Sequence, residues 1–276
     1  MVGRIITVTE KGSRAMSLDE TLFIGNPKPR TALPLDRILE HYAIIRDAIA
    51  TTEHVVPEDL PSFVVNQSFI YAFNSYKAIS LLLPELYHES AAAVMRQLWE
   101  LSLNLHWVGV NPGERSRDFC NYTVMEYRKL LKKAEANEQI DDFDEATARF
   151  QGRFKYQDKK GRNRSHGNFA MASIHDRATE LGEPWASEYT LVYHLTSMHA
   201  HGAPGAILHA LFQASYPNPE RLEKNSTSLI AVLAIKVMVR NVELLHQLGV
   251  IVDASSIWGE FREFEATLKT EPAGSQ

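Results

Sequence analysis

Two side chains of opposite charge, Arg96 and Glu100, stand four residues apart inside the otherwise apolar run VMRQLWELSL. On a helix an (i, i+4) pair shares one face, and in surroundings this apolar both groups enter a low dielectric, where each must pair or find another partner. Such a pair has two uses. It can lock the register of packed helices, or it can hold an arginine by its own glutamate beside a pocket, ready for an anion. Further along, YHLTSMHAHG, Tyr193 to Gly202, contains three histidines. His194, His199 and His201 do not fall on one helical face, whereas a helical zinc site needs histidines three or four apart, so no metal is implied. Instead Tyr189, Tyr193, Ser197 and His201 recur every four residues as one polar stripe sealed by Gly202. His201 lies in the last turn, where the helix dipole favours imidazolium, and is the acid–base candidate of the stretch; its plainer role is to hydrogen-bond the last carbonyls. The leading set is therefore Arg96 to bind phosphate, Glu100 to orient it, and His201 to move a proton or make a hydrogen bond. Tyr189, Tyr193 and Ser197 stand beside them as ligand contacts.

Two Glu-x-x-His tetrapeptides, Glu85 to His88 and Glu243 to His246, have the form of di-iron ligand pairs in helical bundles. Tetrapeptides of this kind arise by chance in a chain of this composition, and no cofactor is implied. The segment RNVELLH, Arg240 to His246, offers another chemistry. An arginine, a polar residue (Asn241) and then a histidine resemble the signature of the HEPN ribonucleases, all-α domains found in toxin–antitoxin and phage-defence systems. That resemblance implies metal-independent RNA cleavage at a dimer interface. His246 would move a proton at the ribose 2′-hydroxyl, and Arg240 would hold the phosphate as charge develops. The same residues also read as the wet side of an amphipathic helix.

A basic stretch, RFKYQDKKGRNRSHGN, Arg153 to Asn168, has the composition of a mobile loop over about 152–168 and suits RNA, a nucleotide or another polyanion. It is otherwise a solvated loop.

These residues need elements to position them. Leu35, Ile38, Leu39, Tyr42, Ile45 and Ile49 predict an amphipathic helix. A second runs from about Ser62 to Pro84, which cannot continue the hydrogen-bond ladder. The third, from near Glu85 to Asn111-Pro112, is apolar on nearly every face and belongs at the centre of a bundle. A fourth covers about Gly113 to Ala136, and a short one lies in ANEQIDDFDEATARF. After the basic stretch come helices at Ala170 to Leu181, Pro184 to His201 and Leu222 to Leu248, closed by Gly182, Gly202 and Gly249, and a last one at about Ser255 to Leu268. Strand signals are almost absent. The fold class is all-α, a single helical-bundle-like domain over residues 35–268, with an extended N-terminal arm (1–34) and a polar tail (269–276).

Composition bounds the rest. The formal net charge is −5 with 23% charged residues, which argues against a surface coated in positive charge, so any phosphate site must be local. Cys120 is the only cysteine, which fits a reducing cytoplasm. No apolar run has membrane-spanning length, and no membrane partner is expected.

Several features together resemble the bacterial family catalogued as domain of unknown function 5677. They are RQLWE on an apolar helix, then NPGERSRDFCNY, and after a variable loop SIHDRATELGEPWASEYTLVYHLTSMHAHG with its Tyr-x(3)-Tyr-x(3)-Ser-x(3)-His-Gly ending. The resemblance spans about Phe63 to Gly202 and falls on Arg96, Glu100, Tyr189, Tyr193, Ser197, His201 and Gly202. It implies an all-α fold and a shared polar centre, with no activity attached. The sequence leaves open whether the protein is an enzyme. It supports three readings: recognition of an anionic ligand (RNA or nucleotide) at the polar centre, a non-catalytic scaffold that forms a homodimer through its apolar helices, or a HEPN-like ribonuclease.

Overall fold

A computed structural model describes residues 34–134, 140–194 and 219–270. The N-terminal arm, the polar tail and the positions Ser197 and His201 lie outside the described residues. Within them the chain is built of helices, with one small two-stranded sheet.

Helix α1 (Leu35–Thr51) buries Ile38, Tyr42, Ile45 and Ile49, the stripe that the sequence periodicity marks. Helix α2 (Leu60–Leu82) begins where the Asp59 carboxylate accepts the Ser62 backbone N–H at 2.7 Å, and it stops just before Pro84. The two helices are pinned by Tyr42 and Tyr76, stacked at 4.1 Å between ring centroids. Each phenol donates to the other residue's main-chain carbonyl, at 2.8 and 3.4 Å.

Helix α3 (His88–Val110) is the hub. It packs against α2, against α4 (Pro112–Lys133), against α6 (Ile174–Leu181) and against α8 (Pro219–Gln247). Ala91, Met95, Leu98, Trp99 and Leu103 are fully buried, as a helix apolar on most faces requires. Gly109 lets α8 approach, since a Cβ there would stand 3.0 Å from a methyl group of Leu244. Helix α5 (Ile140–Ala148) leans on α4, and α9 (Ser255–Thr270) covers α1. Gly249, at φ +70°, turns the chain out of α8, and the link from α1 to α2 meets the link from α8 to α9 through the Val55 N–H and the Val250 carbonyl at 2.9 Å.

Two segments differ from their sequence reading. Where a loop is expected, the chain makes a 3-10 turn (Gln151–Phe154) and an antiparallel hairpin of β1 (Lys155–Gln157) and β2 (Asn163–Ser165). The root of this hairpin is apolar and fixed: Phe154 is fully buried, with its ring 5.5 Å from that of Tyr122 on α4. The second difference follows α6. A continuous α-helix from Pro184 is expected, but the described chain forms a four-residue α7 (Trp185–Glu188) and then a π-helical turn, Tyr189–His194. A π-helical turn advances by more than the 3.6 residues of an α-helix, so the backbone here does not keep the four-residue repeat that the sequence suggests.

Candidate functional site: two polar flanks of the central helix

Arg96 and Glu100 form the ion pair that their spacing demands, Nε to Oε1 at 2.8 Å, with the arginine side chain 13% and the glutamate 33% exposed. One turn further along the same face stands Asn104, whose side-chain oxygen accepts from Arg177 of α6. Arg177 is buried, and burial lowers its pKa while the charge of Glu100 works in the opposite direction. Its Nε has no acceptor among the described residues. Two guanidinium groups thus share the charge of one carboxylate along Arg96, Glu100 and Asn104.

Tyr189 lies against both α3 and α6. Its ring lies 6.4 Å from Trp99 and 5.1 Å from His175 of α6. The side chain of Tyr193, like Ser197 and His201, lies outside the described residues, so of the proposed stripe only Tyr189 can be placed.

The opposite flank of α3 faces α8. Arg240 donates through Nη2 to Glu188 Oε2 at 2.8 Å and lies over the Trp185 ring at 4.4 Å. Glu188 accepts in addition from Trp99 Nε1 at 3.1 Å. Beside them Asn241, fully buried, donates to Ser102 Oγ at 2.7 Å. His106 packs its ring 4.9 Å from Trp185. Its pKa is pushed down to about 3, chiefly by burial and then by the Arg240 charge, with the Asn241 amide opposing the shift, so the imidazole is neutral near neutral pH. Arg240 keeps Nε and Nη1 without partners among the described residues.

Arg240 and Asn241 are neighbours of His106 and precede His246 by six and five residues on α8. The latter sits at the end of α8, its Nδ1 3.3 Å from the Ile251 carbonyl oxygen and its ring 5.0 Å from Trp258. Of the Glu-x-x-His pairs, Glu85 precedes α3 and His88 is its first residue, while Glu243 and His246 lie on α8. Among the described residues no group of three or more histidine, cysteine and acidic side chains is gathered for a metal ion.

A regular device ties these flanks together. Trp99 donates to Glu188, which pairs with Arg240, and Trp107 donates to Glu180 at 2.8 Å, which pairs with Arg115. The tryptophans are eight apart on α3, and the glutamates are eight apart in reverse order along α6 and α7, so the α6–α7 segment runs antiparallel to α3 in a fixed register. Arg115 also stacks on the Trp107 ring at 3.8 Å.

Sequence reasoning missed Arg177, His106, Glu188 and Trp185. Asn104 was within reach, since it continues the Arg96–Glu100 spacing by another four. The matching intervals Trp99–Trp107 and Glu180–Glu188 were also visible, although nothing in the sequence pairs one interval with the other.

A cleft of about 590 Å³ opens at the start of α4, lined by Asn111, Glu114, Arg117, Asp118 and Arg153 among others. Its charges are spent on each other: Arg153 donates to both oxygens of buried Asp118 and to Glu114. No helix among the described residues is long and apolar enough to cross a membrane.

No curated protein and no solved structure matches the chain. The helical architecture around α3, with the RQLWE and NPGERSRDFCNY blocks on α3 and α4, agrees with the sequence profile of the family of unknown function DUF5677, which matches residues 62–216. The match covers more than half of the chain, and the protein belongs to the family of unknown function DUF5677.

Proposed function

We propose that the protein binds a phosphate-bearing anion, a nucleotide or an RNA phosphate, at the flank of α3 where Arg96, Glu100, Asn104 and Arg177 meet. The observation that carries this reading is Arg177. It is buried, one of its donors has no acceptor among the described residues, and the carboxylate that supports its charge is already bonded to Arg96. A buried guanidinium with an unmet donor costs stability, and a phosphate oxygen supplies both the missing acceptor and the missing charge. In this role Arg177 and Arg96 hold the anion and Glu100 orients Arg96. His201 is the proton or hydrogen-bond partner in the sequence reading.

The test is titration of the purified protein, followed by calorimetry, with inorganic phosphate, pyrophosphate and nucleoside mono- and triphosphates. Arg177→Met keeps the stem of the side chain and removes its guanidinium and charge. It is expected to abolish binding while leaving the melting temperature unchanged or higher, because an uncompensated buried charge is relieved. If the wild type binds none of these anions, the reading fails. A fall in melting temperature in Arg177→Met would then leave the polar flank with a purely structural role.

That structural alternative is favoured by a specific feature, the paired Trp–Glu–Arg contacts, which account for Arg240 as a packing group. The ribonuclease reading on Arg240, Asn241 and His246 is separated by incubating RNA with wild type and His246→Ala; RNA left intact by the wild type ends it.

A further inference from the structure

We infer that the β1–β2 hairpin is a binding surface for single-stranded nucleic acid, distinct from the arginine flank of α3 and independent of the reading given to it. The hairpin does nothing for the core. All six strand residues are exposed, so neither face packs on the body, and a two-stranded ribbon without an apolar face is marginal by itself. Order comes instead from its two ends. At the root, Phe154 is buried, the His166 N–H donates to the Phe154 carbonyl at 2.8 Å, and Arg153 is clamped by Asp118 and Glu114. At the tip, Asp158 accepts the backbone N–H groups of Lys160 and Arg162, at 2.9 and 3.0 Å, and pairs with the side chains of Arg162 and Arg164 at 2.7 and 3.3 Å.

What this framework presents is specific. Between residues 155 and 165 five cations stand against one carboxylate, on a chain whose net charge is −5. Strand alternation and the Tyr156↔Arg164 register put Tyr156, Arg162, Arg164 and His166 on one face. The Tyr156 ring is 44% exposed and lies 4.6 Å from the His166 ring. Lys155, Lys159 and Lys160 make no ion pair among the described residues. A fixed ring pair flanked by guanidinium and ammonium groups is what a nucleic-acid single strand requires, bases stacking on the rings and phosphates meeting the cations. An acidic protein surface would use the charge but gain nothing from an exposed tyrosine, and a duplex hides the faces of its bases.

The experiment is fluorescence anisotropy of the full chain with labelled oligouridylate and oligodeoxythymidylate over a range of salt concentrations. A Lys155→Gln, Lys159→Gln, Lys160→Gln triple variant is expected to bind at least about tenfold more weakly, with the slope of log K against log salt reduced by about 2, as for three lost single-strand phosphate contacts. Tyr156→Ala is expected to weaken binding by about tenfold with the slope unchanged. Unchanged affinity in either hairpin variant overturns the proposal. So does a duplex bound as tightly as the single strand, or poly-glutamate bound as tightly as either oligonucleotide.

Discussion

His106 is a residue whose chemistry departs far from its free value. In an unfolded chain a histidine titrates near 6.5, while in the folded protein it titrates at about 3. Between these values the unfolded state binds the extra proton, so the stability that depends on a neutral His106 is fully present above about pH 6.5 and falls as the pH drops, by up to about 1.4 kcal/mol per unit. Denaturant unfolding at a series of pH values should show this decline already between about pH 6.5 and 5, above the range where paired carboxylates protonate, and His106→Asn should flatten it. Glu188 gives a second residue-scale expectation. Its carboxylate serves both Trp99 and Arg240, the pair being 13% and 18% exposed. Glu188→Gln removes the counter-charge of a buried guanidinium and should cost about 2 kcal/mol or more in unfolding free energy. Glu145→Gln breaks a pair that is 78% and 75% exposed and should cost less than about 0.5 kcal/mol. If the two variants are equally stable, the α3–α7 contact is not what holds Arg240.

At the scale of elements, sequence periodicity went far. The central place of α3 could be read from its lack of a polar face, α1 from its stripe, and the ends of α2, α6 and α8 from Pro84, Gly182 and Gly249, because each of these signals is local in the chain. The Arg96–Glu100 pair was legible for the same reason: four residues on a helix fix its geometry. Other features were not, because they are agreements between distant segments. Arg177 meets Asn104 and Arg240 meets Glu188 only once α6, α7 and α8 have packed on α3. The hairpin was hidden by composition, since Lys, Arg, Gly and Asn are as common in loops as in a solvated ribbon, and what orders it is Asp158 and the buried Phe154. The π-helical turn after α7 carried no sequence signal that periodicity could catch. Because the hairpin rests on its root and tip and not on the core, replacing residues 155–165 by a short glycine-containing turn should shift the melting temperature by less than about 2 °C, corresponding to under about 1 kcal/mol. A larger drop would mean that the ribbon supports α4.

For the whole molecule, the helices hold two polar flanks on one buried helix and keep the basic ribbon clear of the body. The arginine flank and the ribbon are probed by different variants, so the two proposed bindings, of a small anion and of a strand, are tested separately in one protein. The separation of charge has a kinetic side as well. With five cations against one carboxylate on the ribbon and a net charge of −5 on the whole chain, the ribbon and the remainder carry charge of opposite sign, a separation with the character of a dipole. Near a polyanion such a dipole exerts a torque: collisions made body-first are repelled, and those made hairpin-first are drawn in. The orientation of the encounter is thus selected before any contact forms, and raising the salt concentration should slow association more than it speeds release.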